Sequence, residues 1–425
     1  MTSTTRTRVS ALRGGHSALA RLVSVSADEF ADRFWGREPL LTRHDALPRD
    51  FGDLFSNDAV DELVSRRGLR APFLRVAKNG TTLPAGAFTA GGGVGAAVAD
   101  QASDDKLLSL FADGATIVLQ GVHRTWDPVL RFSQDLAAEL GHPTQVNAYV
   151  TPAQNTGFSD HYDVHDVFVL QVEGEKRWRI RPPVHPSPLR DEPWNDRRAA
   201  VETAAAADPL IEATLRPGDC LYLPRGYLHA ATALGDVSTH LTIGVHPWTR
   251  RHLADELVTQ AVRRASTDER VRTSLPVGVD LGDPDGWADD LETVRAAVVD
   301  AIRHASVDDL AAALGARARG AQRAAPVAPV AQVRAAARLG RGDVLLLRDH
   351  LDARLTTSDR GPTLRSRAGE LSLTGKEETA VQRLLEDGRA KVSELGDDLA
   401  RRLVLGAVVA VAGAGSGYAS ASEAD

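Results

Sequence analysis

Two histidines in this 425-residue chain are each followed two positions later by an aspartate: His161-Tyr-Asp163 and His350-Leu-Asp352. In an extended segment, side chains two positions apart point to the same side, so such a pair can offer an imidazole and a carboxylate to one metal ion. His161 and Asp163 lie between strand-like runs, where they can converge. The other pair lies in residues 343–355, whose leucines recur at helical spacing; this predicts a helix on which His350 and Asp352 diverge.

His229 is the candidate for a third ligand from a distant part of the chain. It follows a Pro224-Arg-Gly226 turn, which can direct a side chain across the mouth of a barrel. Two histidines and one carboxylate on one face of the metal, with open positions opposite, are typical of non-haem Fe(II) oxygenases. Taken singly, His161 could instead be a capping residue, and His229 a histidine satisfied within the core.

Lysine is rare in this chain: only five of its 50 basic residues are lysines. One of them, Lys176, follows the turn Glu173-Gly174-Glu175 and begins a strand-like run. A turn lysine in solvent is the simpler interpretation. A buried ammonium, however, is costly unless an anion pairs with it, and a dicarboxylate facing Lys176 would supply that anion.

The segments that must position these residues are mostly short strands separated by turns, which predicts an antiparallel barrel or sandwich. Asp127-Pro128 and Gly141 mark the start and end of a predicted helix. After Pro247 the pattern becomes helical. Residues 341–412 predict a small α/β unit with a strand at 370–373, a helix at 380–387 and a final apolar element at 403–412. The strand-like runs are 116–120, 146–150, 167–172, 177–181, 220–223, 227–233 and 239–245.

Composition excludes several classes of protein. With 43% hydrophobic and 25% charged residues, the chain resembles an ordinary globular protein rather than a disordered one. The longest apolar run, 403–412, is about half of the ~20 residues that a membrane span needs. A single cysteine, Cys220, excludes an intramolecular disulfide framework and fits a reducing, cytoplasmic environment. The net charge of −7 gives no sign of a general nucleic-acid binder.

Three stretches together resemble the JmjC/cupin ribosomal oxygenases. The main one runs from Asn147-Ala-Tyr149 through Gly157-Phe-Ser-Asp-His161-Tyr-Asp163 to Glu173-Gly-Glu-Lys176-Arg-Trp-Arg-Ile. The second comprises residues 218–229 and Thr239-His-Leu-Thr-Ile243, and the third is Phe34-Trp35-Gly-Arg-Glu-Pro-Leu-Leu41. The close match covers residues 115–250, roughly a third of the chain. The resemblance implies a mainly β catalytic core, a double-stranded β-helix, with α-helical N-terminal and dimerisation regions and a C-terminal winged-helix-like α/β domain.

The resemblance also implies a reaction and a set of site residues. Fe(II), 2-oxoglutarate and O₂ would be used to hydroxylate a protein side chain, on a ribosomal protein. His161, Asp163 and His229 would be the iron ligands, and Lys176 would bind the distal carboxylate of 2-oxoglutarate. Asn147 and Tyr149 match substrate-pocket positions, with His240 and Thr242 bordering the site. Gly244 departs from the pattern, because histidine-hydroxylating members have a serine there; the target could therefore be histidine, arginine or another residue. His165, His246, Trp178 and Tyr222 are assigned to packing or to support of the site.

Other functions remain open from the sequence. A JmjC N-methyl demethylase or a small-molecule hydroxylase would use the same metal chemistry, and a non-catalytic cupin or a winged-helix DNA-binding protein would not be an enzyme. Residues 341–412 contain 12 basic and 12 acidic residues, which argues against direct DNA binding. We expect a homodimer and no membrane association. The expected divisions are a flexible N-terminus (1–22), a helical and mixed region (23–114), the β-helix (115–250), dimerisation helices (251–340), a winged-helix-like domain (341–412) and a disordered tail (413–425).

Overall fold

The structure, a computed structural model, describes residues 17–78, 80–155, 159–358 and 361–413. The predictions for residues 1–16 of the N-terminus and 414–425 of the tail lie outside the described residues. The chain divides between Pro247 and Trp248 into two compact units. No helix among the described residues is long and apolar enough to cross a membrane.

The first unit holds five helices and eleven strands within its described residues. Its helices are α1 (Ala27–Glu29, continued by a π-helical turn at Phe30–Phe34), α2 (Asn57–Arg66), α3 (Asp104–Ala112), α4 (Asp127–Leu140) and α5 (Arg198–Ala205). Its strands are β1 (Leu40–Thr42), β2 (Leu74–Lys78), β3 (Thr81–Thr82), β4 (Thr89–Ala90), β5 (Gln101–Ala102), β6 (Thr116–Leu119), β7 (Thr144–Thr151), β8 (Asp166–Arg181), β9 (Ile211–Leu215), β10 (Cys220–Leu223) and β11 (Leu228–Val245).

The centre of this unit is a long antiparallel ribbon formed by β8 and β11. Its pairing extends from Val245 opposite Asp166 to Leu228 opposite Arg181, with register shifts between Leu234 and His240. The first half of β8 also pairs with β10, and the second half pairs with β9. Side chains from both halves line one common pocket. The ribbon is therefore shared by two facing layers, the arrangement of a double-stranded β-helix, and the predicted mainly β core is confirmed.

The larger layer runs in the order β1-β10-β8-β11-β7-β6-β2-β3, and its two faces have different surroundings. Because successive side chains alternate across a strand, Val146, Ala148 and Val150 of β7 enter a large apolar core on the outer face. Helix α4 packs into that core, and it ends at Gly141 in the left-handed conformation (φ 69°), as predicted. The intervening residues, Asn147 and Tyr149, are left for the inner face.

The second unit combines helices with two small sheets. Its helices are α6 (Arg250–Ala265), α7 (Glu269–Arg272), α8 (Ala288–Arg303), α9 (Val307–Ala321), α10 (Pro329–Ala336), α11 (Gly375–Asp387), α12 (Val392–Leu395) and α13 (Asp397–Leu405). Strands β12 (Val344–Leu347), β16 (Arg389–Lys391) and β17 (Val409–Val411) form one sheet, and β13 (Arg354–Ser358), β14 (Gly361–Ser366) and β15 (Gly369–Ser372) form the other.

The helix predicted for residues 343–355 is wrong. That segment contains β12, a turn and the start of β13, and both His350 (φ 54°) and Asp352 (φ 48°) are in the left-handed region. A run of four apolar residues, Val344 to Leu347, fits a buried strand as well as a helix. The polar residues that follow it favour a turn, since aspartate tolerates the left-handed conformation better than most residues.

Candidate metal and co-substrate site

The His161, Asp163 and His229 side chains converge at one end of the ribbon. Their candidate ligand atoms all lie within 4.8 Å of one another, the only such group of three found in the part of the chain that the structure describes. His161 is held beside β11 by two backbone hydrogen bonds with His229, of 2.9 and 3.3 Å. The two imidazole centroids are 4.4 Å apart, and Asp163 Oδ2 lies 3.7 Å from His229 Nε2.

Backbone carbonyls fix the orientation of both imidazoles. The Nδ1 of His161 lies 2.7 Å from the Ser159 carbonyl oxygen, and the Nδ1 of His229 lies 3.1 Å from that of Tyr227. A carbonyl can only accept, so each Nδ1 must carry the proton. Each Nε2 of a neutral ring is then left with a lone pair directed towards the cluster, as in metal-binding histidines.

The turn before His229 is anchored by a buried carboxylate. Asp166 is fully buried and accepts hydrogen bonds from the Arg225 backbone N–H (3.0 Å) and the Tyr222 hydroxyl (2.9 Å). Gly226 adopts φ +92°, and a Cβ there would lie 2.7 Å from the His185 carbonyl oxygen, so the turn requires glycine. Its N–H donates to the Asp163 carbonyl, which ties the turn to the first ligand segment.

The electrostatics of the cluster favour ligand-ready protonation states. Burial, with a smaller contribution from His161, lowers the pKa of His229 to about 4, so its imidazole is neutral at neutral pH. Burial alone would raise the pKa of Asp163, but the nearby His165, His229, His161 and Arg75 outweigh it and lower that pKa. Two imidazoles and a carboxylate form a donor set that fits Fe(II).

Lys176 is buried deeper in the same pocket. Its side chain is 4% exposed, and its Nζ donates a 3.1 Å hydrogen bond to Thr151 Oγ1, which in turn lies 3.2 Å from Thr116 Oγ1. Burial lowers the pKa of Lys176 to about 7, and no acidic side chain among the described residues opposes that shift. A buried amine without a counter-ion fits a carboxylate supplied by a ligand.

One continuous pocket connects Lys176 with His161, Asp163 and His229, which we call the metal-type cluster. Two buried groups in its wall, His240 Nδ1 and Trp178 Nε1, have no hydrogen-bond partner within the described residues. Buried polar atoms normally have a partner, so these two leave room for polar groups of a ligand. The lining comprises Thr116, Tyr149, His161, Asp163, Val167, Val169, Lys176, Trp178, His229, Ala230, Ala231, His240 and Thr242.

The residues predicted to border the substrate lie around the metal-type cluster. Tyr149 stacks flat against His240, with centroids 5.0 Å apart and planes 4° apart. Asn147 is the exception among them, since it is not part of the pocket lining and its Oδ1 accepts a 3.1 Å hydrogen bond from the Gly121 N–H. Thr242 lines the pocket as expected.

Gly244 lies directly against the ring of His165. A Cβ at position 244 would be 2.6 Å from both Cδ2 and Nε2 of that ring, which stacks on His246 at 4.9 Å. The space of a side chain at position 244 is thus filled by His165. Of the other residues assigned to packing, Tyr222 does lie in the apolar core, whereas Trp178 lines the pocket.

Sequence reasoning missed three residues around the site: Thr151, which contacts the lysine, Thr116, which contacts Thr151, and Arg75 on β2. Strand threonines carry no signal by themselves. Arg75 is one of 45 arginines, and only the pairing of strands, which a single sequence does not give, brings it towards the pocket.

The fold and this donor set resemble those of JmjC domains. The family model described as "JmjC domain" matches residues 123–253. The chain is 30% identical over 230 residues to the bifunctional lysine-specific demethylase and histidyl-hydroxylase NO66 of Culex quinquefasciatus, covering 52% of this chain and 33% of that protein. It is likewise 30% identical over 224 residues to ribosomal oxygenase 1 of Gallus gallus, covering 52% and 35%. The chain therefore spans about a third of the length of the curated relatives it matches.

A solved structure supports the fold. The Escherichia coli ribosomal oxygenase YcfD, in complex with cobalt and 2-oxoglutarate, aligns with a TM-score of 0.53 at 16% identity, covering 92% of this chain and 99% of that one. The predicted relationship to the JmjC ribosomal oxygenases is confirmed by these comparisons.

Proposed function

We propose that this protein is an Fe(II)- and 2-oxoglutarate-dependent oxygenase that hydroxylates a side chain of a protein, namely a ribosomal protein. The observation that carries the proposal is the single pocket that joins a two-histidine, one-carboxylate cluster to a buried lysine without a counter-ion. A non-catalytic cupin would have no need to maintain so costly a lysine beside a ligand-ready cluster.

His161, Asp163 and His229 would hold the iron on one face, leaving the opposite positions for 2-oxoglutarate and oxygen. Lys176, with the Thr151 hydroxyl, would bind the distal carboxylate. Bound iron would supply the activation of O₂ that couples oxidation of 2-oxoglutarate, to succinate and CO₂, with hydroxylation of a C–H bond. Tyr149, Thr242 and His240 would confine the co-substrate, while the surroundings of Gly244 and Asn147 would border the substrate side chain.

The substrate proposal rests on the relatives, one of which is named a ribosomal oxygenase. The test is to compare ribosomal proteins from cells that contain the wild-type chain with those from cells that contain Asp163→Ala. We expect a residue carrying the mass of one extra oxygen atom only with the wild type, with ¹⁸O incorporated from ¹⁸O₂. Identical masses in both cells, with no succinate formed by the purified protein, would reject the proposal.

N-methyl demethylation is the second candidate, because relatives are named bifunctional demethylases and hydroxylases. Both reactions oxidise a C–H bond, but hydroxylation of an N-methyl group ends in release of formaldehyde. Formaldehyde formed in step with succinate would favour demethylation, and stable oxygen incorporation would favour hydroxylation. A small-molecule hydroxylase would form succinate without any protein target.

The second unit supports two further proposals. Helix α6 exposes three apolar side chains, Leu253 (55%), Val258 (50%) and Val262 (49%), so we expect residues 251–340 to form a homodimer interface. Residues 341–412, with their balanced charge, would be a winged-helix-like domain that contacts protein rather than DNA. We place the protein in the cytoplasm, where its single free cysteine, Cys220, would stay reduced.

A further inference from the structure

Arg75 belongs to a row of side chains that crosses the larger sheet. It pairs with Val118 on β6, Val118 pairs with Tyr149 on β7, and Tyr149 pairs with His240 on β11. Directly opposite residues of antiparallel strands carry their side chains on the same face. Tyr149 and His240 line the pocket, so Arg75 lies on the pocket face, two strands from Tyr149.

The guanidinium of Arg75 has no partner of its own among the described residues. Its Nε is buried without a hydrogen bond, and neither an ion pair nor a side-chain hydrogen bond joins it to another described residue. Two buried arginines of the same unit are paired: Arg21 with Asp53 at 2.7 Å, and Arg181 with Asp160 at 2.6 Å. A partly buried cation left unpaired is costly, so a site that keeps one is suited to an acceptor from outside.

The charge around Arg75 limits what this acceptor can be. Arg75 lies close enough to Asp163 to help lower the pKa of that carboxyl, and close enough to Tyr149 to oppose the rise in pKa that burial causes there. The carboxylate of Asp163 is the acidic group whose pKa Arg75 lowers, and in the proposed function that carboxylate binds a divalent cation. With iron and 2-oxoglutarate in place, the charges of the iron, Asp163, 2-oxoglutarate, Lys176 and Arg75 sum to +1, which disfavours a cationic side chain.

We propose that Arg75 is a substrate-positioning residue that donates hydrogen bonds to an oxygen or ring-nitrogen acceptor of the target residue and excludes arginine and methylated lysine. The role rests on the proposed function, and it narrows the target to a neutral or acidic side chain with an acceptor, such as histidine, asparagine or aspartate. The planar guanidinium can present two parallel N–H groups, which suits such acceptors.

The test uses the full chain in cells, where the targets are the sites that carry one extra oxygen atom with the wild type and not with Asp163→Ala. We expect these sites to be residues with an acceptor and no positive charge. Arg75→Met should reduce the fraction of these sites that carry the extra oxygen atom by roughly tenfold or more. Arg75→Lys should restore part of that modification, because the charge remains but the planar guanidinium is lost. Arg177→Met, at a half-exposed arginine on β8, is the matched control and should match the wild type.

Charge reversal separates positioning from a merely structural role. Arg75→Glu should shift modification towards peptides in which arginine replaces the target residue, measured as relative initial rates on the matched pair of peptides. Three outcomes would each overturn the role of Arg75 alone. The modified residues could be arginine or methyl-lysine, Arg75→Met could leave the fraction of modified target unchanged, or Arg75→Glu could leave the preference between the two peptides unchanged. Absence of both succinate and any modified protein would instead overturn the proposed function. Succinate without any protein target would overturn the protein substrate and this role together.

Discussion

The ring of His165 occupies the space that any side chain at position 244 would require, with 2.6 Å between its Nε2 and the position of a Cβ. His165 is itself stacked on His246, so it cannot turn aside without losing that contact. The identities of residues 165 and 244 are therefore coupled.

Gly244→Ser should destabilise the protein by about 1–3 kcal/mol, because the added atoms force the His165 ring out of its position. His165→Ala in the same chain should recover much of that loss. Urea unfolding of the wild type, both single variants and the double variant measures the coupling, which we expect to be about 0.5–3 kcal/mol. Strictly additive effects would mean that the ring moves away at no cost.

Asp163→Ala and His229→Ala should each abolish 2-oxoglutarate turnover while the fold survives, because two remaining ligands are too few for tight iron binding. Succinate formation, cobalt binding and circular dichroism measure the three properties. His350→Ala and Asp352→Ala are matched controls, since neither residue belongs to the described metal-type cluster. Near wild-type turnover by either of the first two variants would refute the ligand assignment.

Lys176→Ala should raise the KM for 2-oxoglutarate by about a hundredfold or more, since removing one partner of a buried charge pair costs about 3–5 kcal/mol. Metal binding should change far less. Lys176→Arg should be partly active, because a planar fork does not fit a position shaped for a compact ammonium. Steady-state kinetics with varied 2-oxoglutarate distinguish this role from that of an unrelated buried lysine, for which KM would not move.

Binding of 2-oxoglutarate should take up protons in alkaline but not in acidic buffer. The pKa of Lys176 in the free protein is about 7, so at about pH 8 the amine is mostly neutral, and a bound carboxylate raises that pKa and restores the ammonium. At about pH 6 the amine is already charged, and affinity should weaken as the pH rises above 7. Calorimetry in buffers of different ionisation enthalpy measures the uptake, which Lys176→Met should remove.

Val262→Glu, at an exposed apolar residue of α6, should weaken self-association by roughly tenfold or more, because it places a charge in the proposed dimer interface. Light scattering over a range of concentrations measures the change. Leu210→Glu, at a comparably exposed apolar residue (57%) of the first unit, serves as the control. Equal masses for wild type and Val262→Glu at every concentration would place the interface elsewhere.

Much of the fold and the cluster could be predicted from sequence because the signals were local. The strand-like run at 146–150, the Asp127-Pro128 start of α4 and the Gly141 cap are each readable within one segment, and all three predictions were confirmed. The convergence of His161, Asp163 and His229 was expected from the resemblance to the JmjC/cupin ribosomal oxygenases, because the spacing of His161 and Asp163 alone does not bring in His229. Periodicity failed at Val344–Leu347, where four apolar residues in a row fit either kind of element.

The rest of the site depends on which strands become neighbours. Arg75 and Tyr149 are 74 positions apart, and they share a face only because β2, β6 and β7 pair in one register. The hydroxyl of Thr151, on β7, contacts Lys176, on β8, for the same reason. No sequence motif surrounds Arg75 or Thr151, so placing them at the site requires knowing which strands pair.

The alternation along β7 also places residues that stabilise the fold and a residue that lines the pocket on opposite faces of one strand. Val146 and Ala148 pack in the apolar core, while Tyr149 of the same strand lines the pocket. A substitution on the inner face can therefore alter selectivity without disturbing the packing that keeps the protein folded. The pocket can therefore change one residue at a time at a position such as Tyr149, whereas a side chain at position 244 also requires a change at His165.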